Sequence, residues 1–234
     1  MEDKGKCIDN FNNNHKNILF CLFDGHGGDS VSKYLQENFS SEFKSILHDI
    51  NNTQIIDNLF SNLDKKLKDE NFYEVGSTAC IVYITMENKK KYLYCINIGD
   101  TKCILLQNTG SRKLSYDDVA SDPNEYKRVI NEGGMIKNGR IGGKIILSRA
   151  FGDWDQKKIG LISTPHINKI EILNSYRYVI IATDGIWDVL DDLDVYSLSL
   201  SAKNSKDLCD KIIDSALEKN TQDNLSCFVI KLNI

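Results

Sequence analysis

Apolar and polar positions follow two different periods along the chain. Residues 19–23, Leu-Phe-Cys-Leu-Phe, are an unbroken apolar run, which predicts a strand covered on both faces. The run stops at Asp24, Gly25, His26, Gly27 and Gly28. Val31, Tyr34, Leu35, Phe39, Phe43, Ile46 and Leu47 then recur at helical spacing, with Asp29 or Ser30 as the N-cap. Ile55, Ile56, Leu59, Phe60, Leu63 and Leu67 predict a second amphipathic helix. Strand-like runs follow at 77–85, 91–99 and 102–107, joined by the connectors Met-Glu-Asn-Lys-Lys and Asp-Thr. Connectors this short force antiparallel neighbours, because a parallel crossover needs a dozen or more residues. Residues 115–143 are polar and glycine-rich, with one helical piece around Glu125 to Asn131, and predict a surface excursion. Further strand-like runs lie at 144–148, 166–173 and 177–183. A helix is expected at 205–219, with Leu208, Ile212, Ile213 and Leu217 on one face, and a closing strand at 225–234. Runs of strands with paired helices predict an α+β layering. No repeat, linker or low-complexity tract divides residues 1–234, which are expected to form one unit.

The strand ends carry the chemistry. Tyr-Val-Ile-Ile-Ala-Thr ends in Asp184, Gly185, Ile186, Trp187 and Asp188; the run closing at Gly99 ends in Asp100; Asp223 and Asn224 precede the last strand. With Asp24, four apolar strands each bear an Asp at one end. Strand interiors disfavour Asp, and an unpaired carboxylate beside a core is costly. Several such carboxylates brought together would also repel one another. A divalent cation resolves both costs, and oxygen ligands without clustered Cys or His point to Mg²⁺ or Mn²⁺ over zinc. A single Asp-Gly at a strand end is more often a turn than a ligand. Two in matching contexts, one beside a His and one four residues before a second Asp, shift the balance toward a site. His26, flanked by glycines next to a metal ligand, then reads as a proton donor, and Trp187 as packing. Gly-Arg-Ile-Gly-Gly-Lys-Ile at 139–145 lacks the pattern of a phosphate-binding P-loop.

Composition narrows the class. The 234 residues are 41% hydrophobic and 26% charged, with net charge −4 and no Lys/Arg-rich block, which argues against nucleic acid as a partner. No apolar stretch is long enough to span a bilayer, and the first residues contain no signal-peptide core, so no membrane partner is expected. The seven cysteines form no Cys-x-x-Cys, and five lie in apolar runs. They read as small buried hydrophobes in a reducing compartment, cytoplasmic and/or nuclear.

The chain resembles the metal-dependent serine/threonine protein phosphatases of type 2C. The resemblance rests on Met-Glu-Asp at 1–3, Leu-Phe-Asp-Gly-His-Gly-Gly at 22–28, Gly-Ser-Thr-Ala at 76–79 and Asn-Ile-Gly-Asp-Thr-Lys at 97–102. It continues through the glycine-rich stretch 131–153, Ala-Thr-Asp-Gly-Ile-Trp-Asp-Val at 182–189 and Gln-Asp-Asn-Leu-Ser at 222–226. It implies two antiparallel sheets packed as a sandwich with helices on both outer faces, and two Mg²⁺ or Mn²⁺ ions, with a weaker third position. Asp24 would bridge the ions. The Gly25 carbonyl and Glu2 would hold one ion, and Asp184 and Asp223 the other. Asp3 would orient bound water, and Asp100 and Asp188, with Asp184, would form the third position. Residues 115–141 correspond to the family's variable flap. The implied chemistry is in-line attack of a cation-activated water on a phosphoserine or phosphothreonine, with His26 protonating the leaving alkoxide. An imidazole, ordinarily titrating near about 6.5, suits that task. The implied partners are phosphoproteins, approached by a monomer.

Three departures from the pattern are visible. The family's phosphate-gripping Arg and its first strand fall before Met1, so that strand is expected to be missing and Glu2 and Asp3 lie on a chain end, ordinarily frayed. Thr101 and Lys102 replace Ser and Arg, and Asp118, Val119 and Ala120 replace His-Lys-Pro at the start of the flap; both predict altered substrate contacts. The alternatives are a catalytically weak or inactive phosphatase-like binding module, or a hydrolase of small phosphate esters with the same site and a different flap.

Overall fold

The computed structural model describes residues 1–70 and 72–232. Nine strands build two antiparallel sheets. The first runs, edge to edge, through Lys4–Ile8, Ile18–Phe23, Ala79–Glu87, Lys90–Ile98 and His166–Glu171. The second runs through Cys227–Lys231, Tyr176–Ala182, Lys102–Gln107 and Gly110–Lys113. Seven α-helices lie among the described residues: α1 Ser30–Ser45, α2 Thr53–Asp69, α3 Pro123–Asn131, α4 Trp154–Lys157, α5 Asp184–Trp187, α6 Asp192–Ser201 and α7 Ser205–Glu218.

Side-chain alternation sorts the core into layers. Leu19, Cys21 and Phe23 point to one side, where Leu35, Phe39 and Phe43 of α1 and Phe60 and Leu63 of α2 cover them. Leu22, with Cys80, Val82 and Cys95 of the neighbouring strands, points the other way, onto Cys103, Leu105, Val179 and Ile181 of the second sheet. That sheet's outer face, Ile104, Leu106 and Ile180, meets Val195 of α6 and Leu208 and Ile212 of α7. The order is therefore helix, sheet, sheet, helix. The unbroken apolar runs follow from it, because every central strand is covered twice.

Four sequence readings need correction. The run 144–148 is not a strand: Gly142 and Gly143 (φ 58 and 77) turn the chain just before it. Ile145 and Leu147 then make only isolated bridges to Ile141 and Val119, and Ile146 is exposed. The polar N-terminus contains an edge strand, Lys4–Ile8, whose Lys6 ammonium reaches the Gln36 carbonyl and Ser40 hydroxyl of α1 (2.9 and 3.0 Å). A charged, short edge strand carries little hydrophobic signal and resists edge pairing. On α7 the inward positions are Leu208, Ile212 and Ala216, whereas Leu217 is 55% exposed. Helix α6 lies where no helix was expected; its Asp191 closes a capping box with Asp194. The closing strand ends at Lys231, and the expected residues 233–234 lie outside the described residues.

Candidate metal centre

The site lies at one end of the sandwich, where several strands stop. After Phe23 the chain forms a further, minimal sheet: Gly25–His26 pairs with Gly76–Ser77, which pairs with Phe151–Gly152. Thr78 holds the turn by donating its N–H to the Asp24 carbonyl (2.9 Å) and accepting the Asp24 N–H (3.2 Å). At Gly25 a Cβ would stand 2.8 Å from both the Glu2 carbonyl oxygen and the Ser32 hydroxyl, so only glycine allows the N-terminal segment to lie this close. Asp184 opens α5 directly after its strand. Gly185 packs against the Asn224 carbonyl, 2.1 Å from where a Cβ would sit, which brings the Asp184 and Asp223 turns together.

Glu2 and Asp3 are tied down, contrary to the expectation for a chain end. The Glu2 N–H donates to Asn224 Oδ1 (2.7 Å), and its carbonyl accepts from the Ser32 hydroxyl (2.5 Å). Asp3 is buried and accepts from the Thr183 hydroxyl (3.1 Å).

A cavity of about 490 Å³ gathers most of the residues singled out in the sequence: Glu2, Asp24, Gly25 and His26 from the N-terminal part, Asp100, Asp184 and Asp223 from later strand ends. Asp3 sits behind Asp24, and Asp188 beside Asp184, one turn along α5. The electrostatics are unfavourable without a counter-charge. Burial, then the neighbouring Asp3 and Asp184 charges, push Asp24 up to about 10. Burial and Asp184 raise Asp100 to about 7; burial, Asp223 and Asp188 raise Asp184 to about 6. These are oxygen donors that resist ionising beside one another, and a cation placed among them removes the resistance. The donor set therefore fits hard divalent ions. Among the described residues, no three of these carboxylates bring ligand atoms within 4.8 Å of one another.

Sequence reasoning missed Asp153. Its Oδ2 lies 2.6 Å from His26 Nε2, and the pair rests on Gly76, where a Cβ would meet both side chains at 2.0 and 2.4 Å. Asp153 adopts a left-handed backbone (φ 48) and is almost fully buried. Its signal was the same grammar of apolar residue, glycine and Asp, in Phe151-Gly152-Asp153. On the far wall, Arg140 and Lys144 face the cleft from the 131–153 stretch, and Lys144 pairs with Asp155 (2.7 Å).

The substituted positions do other work than predicted. Thr101 is fully buried and hydrogen-bonded to Thr78 (2.5 Å), while Lys102 pairs with Asp192 and lies over the Trp187 ring (4.6 Å). Neither lines the cleft. Asp118 accepts from the Gly99 N–H (3.1 Å) and meets His166 Nε2 at 2.7 Å. With Glu125 it forms a group whose ligand atoms lie within 4.8 Å, but Arg149 and Arg128 already neutralise it (Arg149 to Glu125 2.6 Å, Arg128 to Glu125 2.9 Å).

A sandwich with acidic strand ends converging on one cleft is the architecture of a metal-dependent phosphatase, and the sequence profile of protein phosphatase 2C matches residues 1–225. The chain belongs to that family, whose members are metal-dependent protein serine/threonine phosphatases. It is 29% identical over 242 residues to protein phosphatase 2C homolog 1 of Schizosaccharomyces pombe, covering 99% of this chain and 69% of that one. It is 28% identical over 250 residues to the Saccharomyces cerevisiae protein phosphatase 2C homolog 1, covering 99% and 88%. Among solved structures, a phosphatase from Toxoplasma gondii superposes with a TM-score of 0.86 at 20% identity, over 99% of this chain and 88% of that one. No helix among the described residues is long and apolar enough to cross a membrane.

Proposed function

We propose that the cleft hydrolyses phosphoserine and phosphothreonine in proteins, with Glu2, Asp24, the Gly25 carbonyl, Asp184 and Asp223 as ligands of two Mg²⁺ or Mn²⁺ ions. Asp100 and Asp188, with Asp184, form a weaker third position, and Asp3 orients water from behind Asp24. The observation that carries the reading is the convergence of Asp24, Asp100 and Asp184 in one cavity with all three carboxyls held above their ordinary range. Bound there, the ions would supply Lewis-acid activation of water and offset charge on the phosphoryl oxygens.

The chain's own residues do the rest. His26 is the general acid for the departing alkoxide. Because its Nε2 is engaged by Asp153, Nδ1 is the ring nitrogen left for the leaving oxygen, and Asp153 fixes the ring plane. Arg140 and Lys144 on the opposite wall face the substrate peptide, which makes the 115–141 flap and its continuation the part that selects substrate.

The test is release of phosphate from a phosphothreonine peptide. Release should require Mn²⁺ or Mg²⁺, stop with EDTA, and fall at least 100-fold in Asp184→Asn and Asp223→Asn, in line with loss of an electrostatic catalytic group. Full activity in either variant would overturn the assignment.

A further inference from the structure

Cys80, Cys95 and Cys103 meet in the middle of the sandwich, away from any catalytic role. The register pairs Cys80 with Asn97 and Val82 with Cys95, so Cys80 and Cys95 are diagonal neighbours on the inner face of the first sheet. Cys103 faces them from the second sheet. The three sulfurs lie within 4.8 Å of one another, and each residue is at most 1% exposed. None is in a disulfide, and the surroundings are Leu22, Val82, Leu105, Val179 and Ile181. Burial pushes the Cys103 thiol well above its ordinary value, whereas hydrogen bonds from Cys103 and Cys80 pull Cys95 down to about 5. The trio is thus three buried sulfurs, hydrogen-bonded to one another, in an apolar chamber that spans both sheets.

Two physical constraints say what such a chamber accepts. The first is geometry: sulfur bound to a small soft centre at about 2.3 Å puts the three sulfurs of a pyramidal tris-thiolate roughly 3.5 Å apart, inside the 4.8 Å within which these three lie. The second is charge. Three thiolates around a divalent ion leave one uncompensated negative charge, and around a monovalent ion two, each costly in a core. Around a trivalent centre the sum is zero. We propose that Cys80, Cys95 and Cys103 form a binding site for a trivalent thiophilic metalloid, with arsenous acid as the simplest ligand. The reaction is a condensation without redox change. Three As–O bonds break and three As–S bonds form; each thiol proton leaves with a hydroxide as water, so one As(OH)₃ and three thiols give a neutral tris-thiolate and three waters. The product ties the two sheets together. It also lies beneath the catalytic cleft, since Cys103 follows Asp100 by three residues and Cys80 follows Thr78 by two.

Cys209 and Cys227 supply the natural control, being a two-sulfur pair between α7 and the last strand of the second sheet, with the Cys209 sulfur 3.8 Å from the Cys227 carbonyl. The experiment incubates the Mn²⁺-loaded chain with arsenite in a phosphine reductant. One sample stays at 25 °C and one is held just below its melting midpoint, so that breathing of the core exposes the thiols. After gel filtration, retained arsenic is counted, its neighbours are read by arsenic K-edge absorption, and melting is recorded. The expected result is one arsenic per chain with three sulfur neighbours and no oxygen. The midpoint should rise, because a ligand bound only to the native state stabilises it. Cys103→Ala and Cys95→Val, each checked for native circular dichroism and phosphate release, should lose the three-sulfur signature, while Cys209→Ala should keep it. Three results would each overturn the proposal: no arsenic retained in either sample, a three-sulfur signature that survives both core substitutions, or equimolar Cd²⁺ displacing the arsenic.

Discussion

Two residues show how much of the site depends on single atoms. The acid role proposed for His26 requires that its ring be held, and Asp153, fixed in a left-handed backbone and buried, meets it at 2.6 Å. General-acid catalysis is worth roughly 10²–10⁴-fold, and the need for it scales with the basicity of the leaving group. His26→Ala should therefore slow hydrolysis of a phosphothreonine peptide by about that factor and of p-nitrophenyl phosphate far less. Steady-state kinetics on both substrates decides it, and equal losses would remove His26 from the acid role. Gly25 works by what it lacks. Gly25→Ala would drive a methyl group to 2.8 Å from the Glu2 carbonyl oxygen. Overpacking of this kind costs about 1–3 kcal/mol. With Glu2 a metal ligand as proposed, the Mn²⁺ concentration for half-maximal activity should rise at least tenfold in a titration. An unchanged titration would detach Glu2 from the metal centre.

At the scale of elements, the cleft is held by helices that never enter it. Phe60 of α2 stacks on Phe151 (5.1 Å), and the buried Asp64 of α2 accepts the Gly152 N–H (2.8 Å) and pairs with the partly buried Lys157 (2.9 Å). Together these contacts set the strand that ends in Asp153. Helix α3 is anchored differently, through an ionic cluster at its base. Burial works against the Glu125 carboxylate, yet hydrogen bonds from Arg149 and Arg128 hold it down at about 2. A carboxyl depressed in the folded state stabilises above its unfolded value, near 4.3, and that contribution disappears as pH falls toward 2. Glu125→Gln removes the buried charge opposite two partly buried guanidiniums. It should cost about 3 kcal/mol at pH 7, in the range for breaking a buried pair. The gap to the native chain should close as pH is lowered from about 4.5 to 2, read by urea unfolding at each pH. A gap that persists at the acid end would mean that packing, not the ion pairs, holds α3.

Across the whole molecule, the sequence foretold most where one physical rule governed alone. Doubly covered strands read as unbroken apolar runs, and α1 and α2 showed their buried stripes because only one face of each is covered. The acidic strand ends were legible because several in matching contexts outweigh the turn that a single Asp-Gly would mean. The rest depended on tertiary partners. The run 144–148 has strand composition but no strand beside it, and the edge strand Lys4–Ile8 has a partner but no strand composition. Asp153 belonged to a recognised motif, yet nothing local announces that it meets a histidine 127 positions away. What unites the readings is that carboxylates from Asp24, Asp184 and Asp223, remote in sequence, share one cavity at the end of the sandwich. The most direct measurement is the anomalous scattering of manganese in crystals of this chain soaked in Mn²⁺. We expect two strong peaks in the cleft, one shared by Asp24 with Glu2 and the Gly25 carbonyl, the other by Asp24 with Asp184 and Asp223. An empty cleft with occupied manganese elsewhere, such as at Asp118 and Glu125, would contradict the assignment.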